Sequence, residues 1–234
     1  MIILFDEHET QFTSLGLGVL TDAIDCKITE ELNGAFELEM SYDISGSHFS
    51  KIKENRILFA KPNPWDEPQP FRIDKISKPI NGVVTVYAKH ISYDMNYIPY
   101  RPLEANSMAE LMDQIQNGKI IKDENNVNKR EKVSFIDHNF KFKSSIIGSG
   151  RTFKTTGPSN LRAIIMGDEE KSIIGVYDAE LKFDRFNVNF SSKRGKNRGT
   201  EVRYGYNMTD LKQETSCDKL YNGVYVKITI ITKE

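Results

Sequence analysis

Residues Ala23–Tyr42 read AIDCKITEELNGAFELEMSY. Ile24, Cys26 and Ile28 alternate with polar residues, as do Phe36, Leu38, Met40 and Tyr42, and Asn33-Gly34 sits between the two runs. Alternation of period two on both sides of an Asn-Gly pair marks an antiparallel hairpin. A two-residue turn would set Ile28 opposite Glu39 and place the two apolar sets on opposite faces. A three-residue loop, Leu32-Asn33-Gly34 with Gly34 left-handed, pairs Ile28 with Leu38 and Cys26 with Met40. A one-residue slip inverts every side chain, so the pattern selects the three-residue loop.

The flanking sequence is strand-like as well. Arg56–Ala60 reads as a strand, and Phe71–Asp94, FRIDKISKPINGVVTVYAKHISYD, reads as strand, Asn81-Gly82 turn, strand, with either register leaving mixed faces. Strands bounded by turn residues, without a helical period, predict an antiparallel barrel or sandwich over residues 1–97. Between them, KPNPWDEPQPFRI (Lys61–Ile73) holds four of the eight prolines, Pro62, Pro64, Pro68 and Pro70, and the single tryptophan, Trp65. Proline fixes its own φ, cannot donate to a ladder and pushes the preceding residue toward extended conformations. The segment is therefore expected to be a stiff loop, neither helix nor central strand.

Residues 98–180 change character and predict a small α+β unit. Ser107 can cap a helix with Glu110 closing a capping box, Met108, Leu111, Met112 and Ile115 fall at helical spacing, and Gly118 can end it. The polar run Lys122–Lys132 reads as a solvated loop, and Val133–Lys143 as strand. Gly157-Pro158 is expected to open a short helix carrying Leu161, Ile164 and Ile165, stopped at Gly167. Strands return from Ile173. Residues 181–234 are expected to rejoin the first domain and begin a second β domain, closing on the alternation Val224, Val226, Ile228, Ile230. The fold class is thus α+β, mainly β.

Composition narrows the function. At 234 residues the chain suits one large domain or two smaller ones. Its net charge of −1 lacks the basic footprint of a partner held by phosphate neutralisation, so no specific nucleic-acid binding is expected. Two cysteines, Cys26 and Cys217, make no disulfide scaffold. The start, MIILFDEHE, is no secretory signal, and no apolar run approaches the ~20 residues of a membrane span. Synthesis in a reducing cytosol is the expectation.

No catalytic, metal or cofactor set is expected from the spacing of the reactive residues. His8, His48, His90 and His138 lack metal-site spacing, and His90 reads as a half-buried packing residue. Cys26 lies on the apolar face of the hairpin, where a thiol is normally inert. Glu30-Glu31 reads as the wet face of the hairpin, and Asp66-Glu67 carries no more weight among 33 acidic residues. Leu15-Gly16-Leu17-Gly18 and Gly148-Ser149-Gly150 lack the remainder of a phosphate loop. The basic loop Lys193, Arg194, Lys196, Arg198 could touch phosphates, but reads more simply as a hairpin tip or a subunit contact.

Three long segments, LGLGVLTDAIDCKITEELNGAFELEMSYD, HFSKIKENRILFAKPNPWDEPQPFRIDKISKPINGVVTVYAKHISYDM and DRFNVNFSSKRGKNRGTEVRYGYNMTDLKQE, occur in this order from about Phe5 to about Tyr225. Together they resemble the amino-terminal region of the minor structural, tail-associated lysin proteins of siphophages and prophages of Gram-positive bacteria. The resemblance implies a baseplate hub. In such a hub three copies form a ring of barrel-like domains around a central channel, capping the tail tube below the distal tail protein. The end, YVKITIITKE, departs from that pattern after Gly223-Val224-Tyr225, so the second barrel is expected to be incomplete.

In that setting a proline-stiffened loop has a use. Ordering a floppy loop at an interface costs roughly 1–2 kcal/mol of backbone entropy per residue, and prolines remove much of that freedom beforehand. Trp65 is then either an interface anchor or a lid on the open end of its own barrel. Self-association with contacts to the distal tail protein and other tail-tip proteins, in the virion and without catalysis, is the leading expectation. The alternatives are the remnant of a tail-associated peptidoglycan hydrolase and a module that binds host-wall carbohydrate. The last predicts exposed aromatics gathered in a groove, with Trp65, Tyr97 and Tyr100 as candidates.

Overall fold

In the computed structural model, which describes residues 1–146, 150–167, 171–195 and 199, the opening hairpin has the register that the alternation selects. Strands β3 (Ala23–Glu30) and β4 (Phe36–Asp43) pair Cys26 with Met40 and Ile28 with Leu38. The left-handed residue of the turn is Asn33 (φ 54°) and not Gly34. Asparagine tolerates this conformation because its short polar side chain can bond locally or nearby. Ile24 also departs from expectation. A bulge between Ala23 and Asp25 skips it, and it ends 60% exposed.

The hairpin belongs to a seven-stranded antiparallel sheet with β1 (Ile2–Phe5), β2 (Gly18–Val19), β5 (Ile57–Ala60), β6 (Gln69–Ile76) and β7 (Val83–His90). The order is β2-β1-β5-β6-β7-β4-β3, a curled half-barrel with β2 and β3 as edges. Phe36, Leu38, Met40 and Tyr42 of β4, flanked on both sides, are buried, whereas the facing residues of edge strand β3 are half-buried. Removing each such β4 side chain from water stabilises the sheet by roughly 1.5–3 kcal/mol. Between β6 and β7, Asn81 and Gly82 both take positive φ and Ile80 and Val83 exchange both hydrogen bonds, a tight two-residue turn. The mixed faces of this pair come from a bulge between Ile73 and Lys75.

Beyond Tyr97 the chain builds a second set of elements. Helix α1 (Met108–Asn117) starts at Ser107, whose hydroxyl accepts from the Glu110 N–H, and ends at Gly118 (φ 92°). The Glu110 carboxylate reaches back to the N–H of Asn106, closing the box one residue early. Short pairs join β8 (Pro99–Tyr100) to β14 (Ser159–Asn160) and β9 (Glu104–Ala105) to β13 (Phe153–Lys154). The polar run is no loop: β10 (Lys119–Lys122) and β11 (Asn128–Glu131) form an exposed hairpin turned at left-handed Asn126. Most of Val133–Lys143 is irregular, and its strand β12 spans only Lys141–Ser144.

Helix α2 (Leu161–Met166) is capped by Asn160 three residues after Gly157, so Pro158 lies outside it. Helix α3 (Ile173–Tyr177) replaces the expected strand, because Ser172 caps one end and left-handed Asp178 the other, while Ile173 is buried. The last described strands, β15 (Glu180–Asp184) and β16 (Asn187–Ser191), form a hairpin. Strand β12 pairs with β16 in parallel, outside the segment for which antiparallel pairing was expected.

One contiguous apolar core runs from Ile3 to Phe190. At its aromatic end Phe12 stacks on Phe59 at 4.9 Å and on Phe186 at 6.3 Å, tying the amino-terminal loop to the β15–β16 turn. Met1–Gly195 forms one compact unit and Lys196–Glu234 another; apart from Gly199, the second unit lies outside the described residues, with Lys196, Arg198, Cys217 and the expected carboxy-terminal strand.

Candidate functional site

The proline segment divides in two. Gln69–Ile76 is strand β6, in the interior of the seven-stranded sheet, which corrects the expectation that this stretch holds no central strand. Pro70 is tolerated there because only one side of it carries a ladder: it faces Phe59 of β5, while pairing with β7 begins at Phe71–His90. The loop proper, 61–68, is fixed by Asn63. Its Oδ1 accepts from the N–H groups of Trp65 (3.0 Å) and Asp66 (2.8 Å), and its Nδ2 donates to Asp66 Oδ2 (2.8 Å). The other oxygen of Asp66 lies 2.5 Å from Lys182 Nζ of β15. The Asn63 and Lys182 hydrogen bonds hold the Asp66 carboxyl below the usual carboxylate range.

Trp65 stands out from this braced loop, 86% exposed. A ring this exposed covers little of the described residues, which argues against the lid. Pro64 is exposed beside it, Pro62 and Pro68 are half-buried, and Pro70 is buried in β6.

Strand β15 and the residues at its two ends receive three further contacts from the large sheet and its hairpin turn. Asn33 Nδ2 donates to the Ala179 carbonyl and its Oδ1 accepts from the Leu181 N–H, both at 2.8 Å. Gln69 Oε1 accepts from the Arg185 N–H at 2.6 Å. Arg194, one of the basic-loop candidates, is held by its own chain: its guanidinium lies 2.7 Å from Glu30, with both side chains mostly buried, and its N–H reaches Glu180. Lys193 beside it is exposed. Asn33 and Gln69 were not legible as clamps, since an Asn-Gly pair signals a turn and carries no sign of what the turn touches.

Gln69 also meets His90, which is fully buried rather than half-buried. His90 stacks on Phe36 at 4.5 Å, its Nδ1 accepts from the Ser92 N–H, and its Nε2 faces Gln69 Oε1 at 3.4 Å. This arrangement places the proton of the neutral ring on Nε2. Burial pushes its pKa down to about 3. It is a core residue and the cap of the short 3-10 turn Ile91–Tyr97.

One place brings serine, histidine and aspartate together. Ser47 Oγ lies 2.8 Å from Asp22 Oδ2 and 2.9 Å from His48 Nδ1. The hydroxyl is in the middle, whereas an activated serine needs the imidazole between hydroxyl and carboxylate. The second ring nitrogen of His48 packs on Gly18, where a Cβ would come within 2.1 Å of it. Asp22 takes the N–H and hydroxyl of Ser47 and caps a turn. Burial raises the Cys26 thiol above its ordinary range, which suppresses the reactive thiolate. Among the described residues, no three His, Cys, Asp or Glu side chains are grouped to hold a metal ion, and no helix is long and apolar enough to cross a membrane. The aromatic candidates are not gathered: Tyr100 is buried, with its hydroxyl 2.7 Å from His138 Nε2, while Tyr97 is 80% exposed.

The chain shares its fold with a prophage tail protein. Over 89% of its length it matches the crystal structure of prophage tail protein gp18 from Listeria monocytogenes EGD-e, with a TM-score of 0.60 and 15% sequence identity. It spans 56% of that protein's chain. No family model matches the sequence, and no curated protein does. At this identity the likeness shows the fold alone.

Proposed function

We propose that the chain is a non-enzymatic structural subunit of a phage tail. In this reading it belongs to the baseplate hub, where three copies close a ring that caps the tail tube and joins it to the distal tail protein and the tail tip. The observation that carries the reading is the fold shared with a prophage tail protein over 89% of the chain. The braced loop that holds Trp65 in solvent supports it, because a preorganised exposed tryptophan suits a subunit contact.

Residues 1–97 would form the ring-building domain, 98–180 a smaller unit on it, and 181–234 the return toward a second β domain. Pro62, Pro64, Trp65 and Pro68 then form one contact and Lys193 another, with Pro70 serving from within β6 and Arg194 through Glu30. Synthesis takes place in the bacterial cytoplasm and the working location is the virion.

The test is direct. Tails purified from the parent phage or induced prophage should carry this chain, and density at the tip should show it with three-fold symmetry. Tails assembled without the chain, or turnover of peptidoglycan by the purified protein with zinc added, would overturn the reading.

A further inference from the structure

Three Asn-Gly pairs lie within the described residues: Asn33-Gly34, Asn81-Gly82 and Asn117-Gly118. Asparagine before glycine can shed its side-chain amide without an enzyme, because glycine has no Cβ to hinder its own nitrogen from reaching the asparagine side-chain carbonyl carbon. The reaction needs the asparagine amide and the glycine N–H both free. Two of the three pairs withhold them.

At Asn33 the amide is committed to the Ala179 carbonyl and the Leu181 N–H, at 2.8 Å each, and the Gly34 N–H donates to the Glu31 carbonyl at 3.2 Å. At Asn117, Nδ2 donates to Asp113 Oδ1 at 2.7 Å, and the Gly118 N–H donates to the Gln114 carbonyl at 2.9 Å. Asn81 is different. It is exposed, and neither its amide nor the Gly82 N–H has a hydrogen-bond partner among the described residues. A Cβ built on Gly82 would meet nothing within 4 Å, so that side of the pair is open. Backbone conformation does not set Asn33 and Asn81 apart, since both are left-handed, at φ 54° and 52°. The tip around Asn81 is also lightly held. Past the Ser77–Thr85 contacts it keeps the mutual bonds of Ile80 and Val83 and the bond from the Ile44 N–H to the Gly82 carbonyl, and Pro79 has no N–H to add another. It can open to the reactive geometry while the sheet stays closed.

We infer that Asn81 is a self-modification site, which turns slowly into aspartate and isoaspartate while the fold preserves Asn33 and Asn117. The Gly82 nitrogen gives its proton to water and attacks the Asn81 side-chain carbonyl carbon. The new N–C bond closes a cyclic imide as the bond to Nδ2 breaks, and the amide leaves as ammonia, taking a proton back. Water then opens the ring at either carbonyl, and nothing is oxidised or reduced. Either product carries a new carboxylate, which takes the net charge of the chain from −1 to −2. Isoaspartate also inserts one carbon into the main chain, next to the residue whose carbonyl holds Ile44. The hairpin tip thus records the age of the chain. The inference does not rest on the tail reading.

The experiment ages the full chain in mildly alkaline buffer, folded or in urea. Mass spectrometry follows the three peptides, and labelling by isoaspartyl methyltransferase reports the isoaspartate. In the folded chain Asn81 should convert faster than Asn33 and Asn117, by roughly ten-fold or more, because their native bonds must break first. In urea the three rates should converge. Asn81→Asp should abolish the mass gain of its peptide. The inference falls if folded Asn81 converts no faster than Asn33 or Asn117, or if the Asn81→Asp peptide still gains mass. It falls as well if the ranking persists in urea, which would trace it to local sequence and not to the fold.

Discussion

The side chain of Asn33 pairs with the backbone of β15 as a neighbouring strand would, giving a hydrogen to the Ala179 carbonyl and taking one from the Leu181 N–H at 2.8 Å each. Both bonds are part-buried, and Asn33 also supplies the left-handed corner of its hairpin. Asn33→Ala therefore removes the clamp and strains the turn, and should destabilise the chain by about 2 kcal/mol. Asn33→Gly relieves the turn but not the clamp and should fall between. Urea midpoints rank the three; an alanine variant as stable as the parent refutes the clamp.

His90 makes stability depend on acid. Its folded pKa, about 3, lies below the ordinary 6.5, so the unfolded chain takes up the proton first. The contribution is complete above about pH 6.5 and is lost as pH falls toward 3. Unfolding free energy measured across that window should drop more steeply for the parent than for His90→Gln, which does not titrate. Parallel curves would show that His90 titrates in the folded chain as it does in the unfolded one.

Trp65 is exposed, so Trp65→Ala should leave the free-energy of unfolding within about 0.5 kcal/mol of the parent. If the loop is a subunit contact, the same change should weaken self-association by about 2 kcal/mol, roughly thirty-fold. Light scattering across a dilution series separates the two effects. Normal assembly of the variant removes the loop from the interface, and an unfolded variant contradicts its exposure.

Arg72 joins β6 to the turn after β7 through Asp94, and to the amino-terminal loop through the Glu7 carbonyl. A lysine keeps the charge but not the planar fork, so Arg72→Lys should cost about 1–3 kcal/mol in a thermal or urea melt. An unchanged midpoint would mean the pair is only surface decoration.

Much of the first ninety residues was legible because one face of each strand is buried and the alternation survives. It fails where a bulge interrupts it, at Ile24 and between Ile73 and Lys75, since an inserted residue flips the faces and no local residue announces it. Pro70 misled because strand position, not strand membership, decides whether proline is tolerated. Ile173–Tyr177 has β-branched residues that favour a strand, but two caps and burial override that preference. The parallel β12–β16 pair joins distant segments, and the clamps on β15 are side chains acting at long range; neither leaves a periodic trace. The stiff loop carrying Trp65 was readable, whereas the exposure of its ring needed the chain to be folded first.

The clamp from Asn33 to Leu181 spans 148 residues of chain. A ribosome releases the seven-stranded sheet well before it makes β15, so the large sheet can settle while the hairpin tip still awaits its anchor. Closing the parallel β12–β16 pair comes later still, and long-range closures of this kind are the slow steps of folding. Maturation should thus run in two stages, a fast amino-terminal collapse followed by a delayed docking that fastens the strand bracing Trp65.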